Sequence, residues 1–118
     1  MPLVWFSIMS QKKKKIRKNF RDAVFARDRY QCVTCGLKAD KDNPEATLDA
    51  HHVTPREEMP NGGYVKENGI SLCKDKCHLM AEEYLGGVEL HEGFSPEELY
   101  EKIGSDKERA ERASQRLA

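Results

Sequence analysis

Three separated polar positions in the middle of the chain could perform hydrolytic chemistry. A doubled histidine, His51-His52, ends a short apolar stretch that starts at Leu48, Asn68 follows sixteen positions after His52, and His78 opens a run of helical character. Imidazole nitrogens bind divalent metal ions and accept protons near neutral pH, and an amide orients its neighbours. If they converge on one point, these positions are what a metal-assisted phosphodiester hydrolase needs.

Local patterns predict the elements that must position these residues. Residues 47–53 combine β-branched and apolar types and predict a strand, and a second short strand or turn is expected within residues 65–72. Pro and Gly residues, densest at 60–63, indicate a long irregular connection between them. Residues 77–85 predict a helix that ends at the pair Gly86-Gly87.

Four cysteines form two pairs with the spacing of metal-binding knuckles. Cys32 and Cys35 make a C-x2-C pair closed by Gly36, and Cys73 and Cys77 make a C-x3-C pair after 37 intervening residues. Four thiolates suit a tetrahedral structural zinc. Two disulfides or a redox dithiol are the alternatives, but we recognise no secretory signal, and a thioredoxin-type site needs a βαβ context that is not predicted. We therefore expect structural Zn²⁺ that contributes on the order of 10 kcal/mol to folding.

Charge is divided unequally along a chain whose formal net charge is zero. Residues 1–31 carry nine Lys or Arg against two Asp or Glu, giving +7, and residues 32–118 carry eleven against eighteen, giving −7. The densest basic block consists of Lys12, Lys13, Lys14, Lys15, Arg17 and Lys18. Such a block favours contact with DNA phosphates, with a lysine-rich solubilising tail as the alternative, and it is expected to be a solvated arm or the first turns of a helix.

The residues after this block predict an amphipathic helix that ends near Arg29. Its apolar stripe consists of Ile16, Phe20 and Val24, spaced four apart, with the adjacent Phe25. We expect the stripe to pack on the body of the domain, and Arg21 and Arg27 to face solvent.

Two more helices are predicted towards the C-terminus. Ser95-Pro96-Glu97-Glu98 and Ser105-Asp106-Lys107-Glu108 both carry the Ser and Glu of a capping box. Residues 108–118 are mostly charged, so the last helix is expected to fray or to dock elsewhere.

Length and composition limit the size of the core. With 118 residues, 38% hydrophobic and 34% charged, the chain is expected to form one small domain that a metal helps to stabilise. We expect a basic arm at 1–19, a zinc-containing catalytic domain at 20–87 and a helical tail at 88–118. No apolar run approaches the roughly 18 residues of a membrane span, so a soluble, cytoplasmic protein is expected.

Between residues 21 and 84 these motifs resemble the HNH endonuclease family, whose name records the order His, Asn, His. The resemblance implies an α+β fold built on the ββα-metal (His-Me finger) motif, braced here by a four-cysteine zinc knuckle pair and flanked by N- and C-terminal helices. It also implies hydrolysis of DNA phosphodiester bonds that leaves a 5′-phosphate and a 3′-hydroxyl.

The resemblance suggests a role for each position. It makes His51 and His78 metal ligands, His52 the general base, and Asn68 the residue that ties the loop to the strand and orients the base. Many members carry another His four residues after the last one, where this chain has Glu82. A carboxylate ligand favours Mg²⁺ or Mn²⁺ as the catalytic ion, with Ni²⁺ and Zn²⁺ as alternatives, whereas an ordinary surface Glu is the competing interpretation.

Partners and competing functions complete the hypothesis. Arg56 is a candidate phosphate clamp, although loop arginines are commonly just solvated. A non-catalytic, zinc-bound DNA-binding module explains the cysteines and the basic block but not the histidines and Asn68 together. A nucleobase deaminase needs His-x-Glu and Pro-Cys-x-x-Cys motifs, which do not occur here.

Small stand-alone members of the HNH family resemble proteins encoded beside phage terminase genes. A phage or bacterial setting is therefore expected, with DNA and a terminase or another DNA-processing protein as partners.

Overall fold

A long helix, α1 (Pro2–Arg27), opens the fold and supplies one wall of the core. The structure is a computed structural model that describes residues 2–117, with side chains for residues 8–117. Pro2 lies in the first turn, where its missing N–H is tolerated, and neither Pro nor Gly recurs before the helix ends. Arg29 and Tyr30 then adopt φ angles of 59° and 57°, which reverse the chain two residues after the helix.

The apolar stripe of α1 packs on the body as predicted. Phe20, Val24 and Phe25 are buried, whereas the basic residues at 12–15 are exposed on turns of the same continuous helix. Gly69 in the next layer lies close against α1, because a Cβ added there would clash with a methyl carbon of Val24. The basic block is therefore part of the helix that packs on the sheet.

Two antiparallel strands, β1 (Leu48–His52) and β2 (Gly69–Cys73), form the sheet. Leu48 pairs with Cys73 at one end and His52 with Gly69 at the other. Both strands lie within the predicted segments, apart from Cys73 at the end of β2. The connection at 54–68 contains three short 3-10 turns and no strand. All of β2 is buried, since both α1 and the next helix contact it.

The helix α2 (Cys77–Leu85) has the predicted boundaries, and α3 (Pro96–Lys102) begins with the predicted capping box of Ser95 and Glu98. The final helix, α4 (Lys107–Gln115), begins one residue later than the predicted capping box implies. Its N-cap is Asp106, whose side chain accepts a hydrogen bond from the Arg109 backbone N–H. Of the two expected alternatives, fraying or docking, the structure shows docking: α4 packs on the connection at 60–63 and buries two small residues, Ala110 and Ser114.

Arg27 was expected to face solvent, but its side chain is only 25% exposed. Its guanidinium donates to the carbonyl oxygens of Lys66, at 2.5 Å, and Gly69, at 2.6 Å, and pairs with Asp28 at 2.8 Å. The Asp28 carboxylate in turn accepts the Ser71 backbone N–H at 2.8 Å. The pair thus joins the end of α1 to β2. Arg21 also has a partner, the carboxylate of Glu45.

The predicted α+β class, with its order of strand, loop, strand and helix, is confirmed. Within residues 2–117, no helix combines the length and the apolar character needed to cross a membrane.

Candidate functional site

His51 and His52 point to opposite faces of β1, as neighbours on a strand must. The His51 imidazole faces α2, with its ring centroid 5.1 Å from that of His78. The His52 ring faces α1 and packs 4.6 Å from Phe20 and 4.8 Å from Tyr64. The two histidines nevertheless border one cleft of about 580 Å³, because β1 ends there. Their different surroundings allow them different roles at one site.

His51, His78 and Glu82 form a cluster of possible metal ligands. One donor atom from each lies within 4.8 Å of the others. His78 Nε2 is 3.1 Å from Glu82 Oε1, and His51 Nδ1 is 3.6 Å from the same oxygen. His78 and Glu82 are one helical turn apart on α2 and therefore share a face. The structure thus brings together the three residues that the sequence suggested as ligands.

The protonation state of His51 suits metal binding. Burial lowers its pKa to about 3, assisted by repulsion from His78 and His52, so the imidazole is neutral at physiological pH. The His51 nitrogen that faces the cluster is Nδ1, 3.6 Å from Glu82 Oε1, whereas Nε2 is buried without a hydrogen-bond partner among the described residues. Two imidazoles and a carboxylate are also a donor set that binds divalent ions in catalytic sites. The residues present therefore fit a divalent metal ion.

Asp49 supports His78 and was missing from the sequence prediction. Its Oδ2 lies 2.7 Å from His78 Nδ1, which leaves Nε2 facing Glu82. Burial opposes ionisation of Asp49, but hydrogen bonds from Lys74 and His78 outweigh it and lower the pKa of the carboxyl group. The available signal was the alternation of side chains along a strand, since Asp49 lies two residues before His51 and therefore on the same face.

Asn68 ties the connection to the end of β1. Its Oδ1 accepts the Thr54 backbone N–H at 2.9 Å, and its Nδ2 donates to the carbonyl oxygens of Thr54, at 3.0 Å, and Gly63, at 3.3 Å. The Asn68 backbone carbonyl accepts the Val53 N–H at 2.9 Å. No hydrogen bond joins the amide to the His52 ring among the described residues. Asn68 therefore orders the backbone that follows His52 and does not contact the imidazole through a hydrogen bond.

The His52 ring lies between aromatic side chains with one nitrogen enclosed. Burial, assisted by the charge of Arg56, lowers its pKa to about 4. Its Nε2 is buried and unpaired among the described residues. Arg56 is exposed and donates from Nη1 to the Tyr64 hydroxyl at 2.8 Å. Arg56 lines the histidine cleft, and Tyr64 packs against the His52 ring.

The four cysteines cluster with their sulfur atoms within 4.8 Å of one another, and one of them, Cys73, pairs with Leu48 at the end of the sheet opposite His52. They are free thiols, and the Cys35 and Cys73 sulfurs are 3.9 Å apart, so no disulfide joins them. The Cys77 backbone N–H donates to Cys73 Sγ at 3.3 Å. Val33, in the first knuckle, donates its backbone N–H to the Ser71 carbonyl at 2.9 Å. The cluster is therefore attached to both β2 and the first turn of α2.

The electrostatics of the cluster fit a cation. Burial opposes ionisation of Cys32, but hydrogen bonds from Thr34 and from backbone amides outweigh it and lower the pKa to about 6. Burial raises the pKa of Cys77 to about 12. Four thiolates at this separation repel one another unless a positive ion lies among them, so the donor set suits a metal such as zinc.

The predicted DNA-binding residues line the α1 side of the molecule. Lysines 12–15, Arg17 and Lys18 are exposed on α1, and Lys18 pairs with Asp22 at 2.6 Å. A second cleft, of about 450 Å³, is lined by Lys13, Ile16, Arg17, Arg56, Glu57, Asn61, Gly62 and Tyr64. Arg56 and Glu57 also border the histidine cleft, so the two clefts are adjacent.

Comparison with known proteins identifies the central segment. Residues 32–83 match the family model described as HNH endonuclease, and this span contains both cysteine pairs, the doubled histidine, Asn68 and His78. Neither among curated proteins nor among solved structures was a match to the chain found. An HNH domain supports a nuclease or DNA-binding function in general, and the family uses divalent metal ions. The predicted resemblance to the HNH endonuclease family is thus confirmed for residues 32–83, the segment that the family model matches.

Proposed function

We propose that this protein is an endonuclease that hydrolyses DNA phosphodiester bonds with one divalent metal ion and His52 as the general base. One observation carries the proposal: His51, His78 and Glu82 converge on a single cleft that His52 also borders. A purely structural role for any one histidine would not require the other groups in the same place.

His51, His78 and Glu82 would hold the divalent ion, with Mg²⁺ or Mn²⁺ as the candidates for a site that includes a carboxylate, and Ni²⁺ or Zn²⁺ as alternatives. When bound, such an ion polarises the scissile phosphate and stabilises negative charge on the leaving 3′-oxygen. Asp49 holds His78 with Nε2 towards Glu82, which orients the donor atom before any ion arrives.

His52 would accept a proton from the attacking water. Its low pKa keeps the imidazole neutral and so able to accept a proton at physiological pH. Because Nε2 is buried, Nδ1 is the nitrogen left to receive the proton, and packing against Phe20 and Tyr64 fixes the plane of the ring. The deprotonated water attacks phosphorus, the bond to the 3′-oxygen breaks, and the products carry a 5′-phosphate and a 3′-hydroxyl. A general base contributes roughly 10² to 10⁴ in rate.

DNA would lie across the two adjacent clefts. Lys13 and Arg17 on α1 and Arg56 beside the histidine cleft supply positive charge along this path. Contacts of this kind bind phosphates without reading sequence. Nicking that assists DNA packaging beside a phage terminase is the biological setting that we propose for this activity.

The test is cleavage of supercoiled plasmid by the zinc-loaded protein with Mg²⁺, Mn²⁺, Ni²⁺ or EDTA. We expect metal-dependent nicking or linearisation that falls by at least about 10² in His52→Ala. His91→Ala is a matched control, because His91 pairs with Glu83 and Glu89 away from the cleft and should leave activity unchanged. Folded protein that binds DNA but cleaves it in none of these metals would instead support the non-catalytic binding module.

A further inference from the structure

Three side chains near or within the C-terminal helices hold the connection between β1 and β2. Tyr100 on α3 bonds to Thr54 and Asn68, Ser105 donates to the Glu67 carbonyl at 2.8 Å, and Ser114 on α4 bonds to the turn at 60–63. We call these three residues the C-terminal clamp. All three lie beyond residue 83, where the match to the HNH family model ends.

Tyr100 makes the contact that lies nearest to the proposed base. Its hydroxyl donates to Asn68 Oδ1 at 2.7 Å and lies 2.7 Å from Thr54 Oγ1. Because the phenol has one proton, its second hydrogen bond is one that it accepts from the Thr54 hydroxyl. All three side chains are enclosed, with exposures of 4% for Tyr100, 4% for Thr54 and 0% for Asn68. Water therefore cannot replace the phenol readily if it is removed.

Ser114 reaches the same asparagine from the other side. Its hydroxyl donates to the Pro60 carbonyl and accepts the Gly63 backbone N–H at 3.1 Å. The Gly63 carbonyl in turn accepts Asn68 Nδ2 at 3.3 Å. The two helices thus constrain both ends of the Asn68 amide, Tyr100 at the oxygen and Ser114 through Gly63 at the nitrogen.

This network controls the backbone that immediately follows His52. Val53 and Thr54 both donate their backbone N–H groups to Asn68, the first to its backbone carbonyl and the second to its side chain. A shift of the Asn68 amide therefore moves the chain one and two residues after the histidine. Small displacements of a catalytic group are costly, since a misplacement of about 1 Å can cost on the order of 10² in rate.

We propose that Tyr100 is a positioning residue for DNA cleavage and that the C-terminal clamp is a working part of the nuclease. The inference rests on the proposed function, because it assigns the clamp to the site that contains His52. The phenol touches neither substrate nor metal ligand, and acts by fixing Asn68 and, through it, the end of β1.

The test compares Tyr100→Phe with Tyr30→Phe, which removes a hydroxyl that has no hydrogen-bond partner among the described residues. For Tyr100→Phe we expect a kcat about tenfold lower with KM within about twofold, because the change affects the geometry of the base and not DNA binding. Hydrogen exchange at the Thr54 backbone amide should become about tenfold faster, while the Lys74 amide, which bonds to Thr47 at the far end of the sheet, keeps its rate. Tyr30→Phe should leave both readouts unchanged.

Unchanged kcat and unchanged Thr54 exchange in Tyr100→Phe would overturn the proposal. Equal acceleration at Thr54 and Lys74 would overturn it as well, because Tyr100 would then stabilise the fold in general. If Tyr100→Phe does not fold, Ser114→Ala replaces it, with faster Gly63 amide exchange and lower kcat expected, and normal values contradicting the clamp. A wild-type protein without nuclease activity would refute the proposed function, whereas the exchange rates would still decide whether the clamp orders the connection.

Discussion

At the scale of single residues, the hydrogen bond between Asp49 and His78 sets which imidazole nitrogen faces Glu82. Asp49→Asn keeps the size of the side chain but removes the charge that holds the His78 ring in this tautomer. We expect the affinity for Mn²⁺ to fall by about 10- to 100-fold, the usual effect of removing a partner of a metal ligand. Calorimetric titration of Mn²⁺ into zinc-loaded protein measures it. Asp42→Asn, a change at an exposed site, serves as control, and equal affinities in the two variants would show that Asp49 does not orient the ligand.

Residue types and spacing predicted which side chains meet in the cleft, but not everything that supports them. His51, His78 and Glu82 were identifiable because metal ligation needs particular side chains at particular intervals. Asp49 carries no such motif, and its role depends on the face of β1 that meets α2. Tyr100 lies 32 residues after Asn68, and nothing in the local pattern around it indicates that contact.

At the scale of elements, the cysteine cluster connects the first knuckle, β2 and α2 at one point. Cys73 ends β2 and Cys77 begins α2, one residue before His78. We expect a zinc chelator to unfold the domain, because a structural zinc contributes on the order of 10 kcal/mol, comparable to the whole stability of a small domain. Loss and zinc-dependent recovery of the far-ultraviolet circular dichroism signal measure this. Retention of the full helical signal after zinc removal, verified by elemental analysis, would contradict a folding role for the metal.

Elements with strong local signals were predicted well, and elements shaped by distant contacts were not. Cys77 to Gly86 contains both the start and the stop of α2, so its boundaries followed from the sequence. The charged sequence of α4 left open whether the helix frays or docks, and it docks because Ala110 and Ser114 are small enough to pack on the connection. Arg27 likewise was predicted to be a surface residue, because the local sequence does not show that the carbonyl groups of Lys66 and Gly69 lie within hydrogen-bond distance of it.

At the scale of the whole molecule, the zero net charge conceals a basic helix attached to an acidic body. Lys13 and Arg17 line the cleft beside Arg56, so they are placed to neutralise DNA phosphates. We expect the double variant Lys13→Gln/Arg17→Gln to flatten the dependence of log Kd on log salt concentration by about 0.9 for each phosphate that it no longer neutralises. At saturating DNA its kcat should remain near the wild-type value, because neither residue belongs to the proposed metal ligands or is the proposed base.

The matched control is Lys38→Gln/Lys107→Gln, which removes the same charge from residues that line neither the histidine cleft nor the cleft beside α1. Fluorescence anisotropy of a labelled duplex over a range of salt concentrations compares the two variants. If DNA follows the path along α1, only the first variant has a shallower slope, since counterions are released where phosphates are neutralised. Equal slopes would mean that the total charge of the protein attracts DNA without a defined path, and the role of α1 as a binding surface would then be wrong.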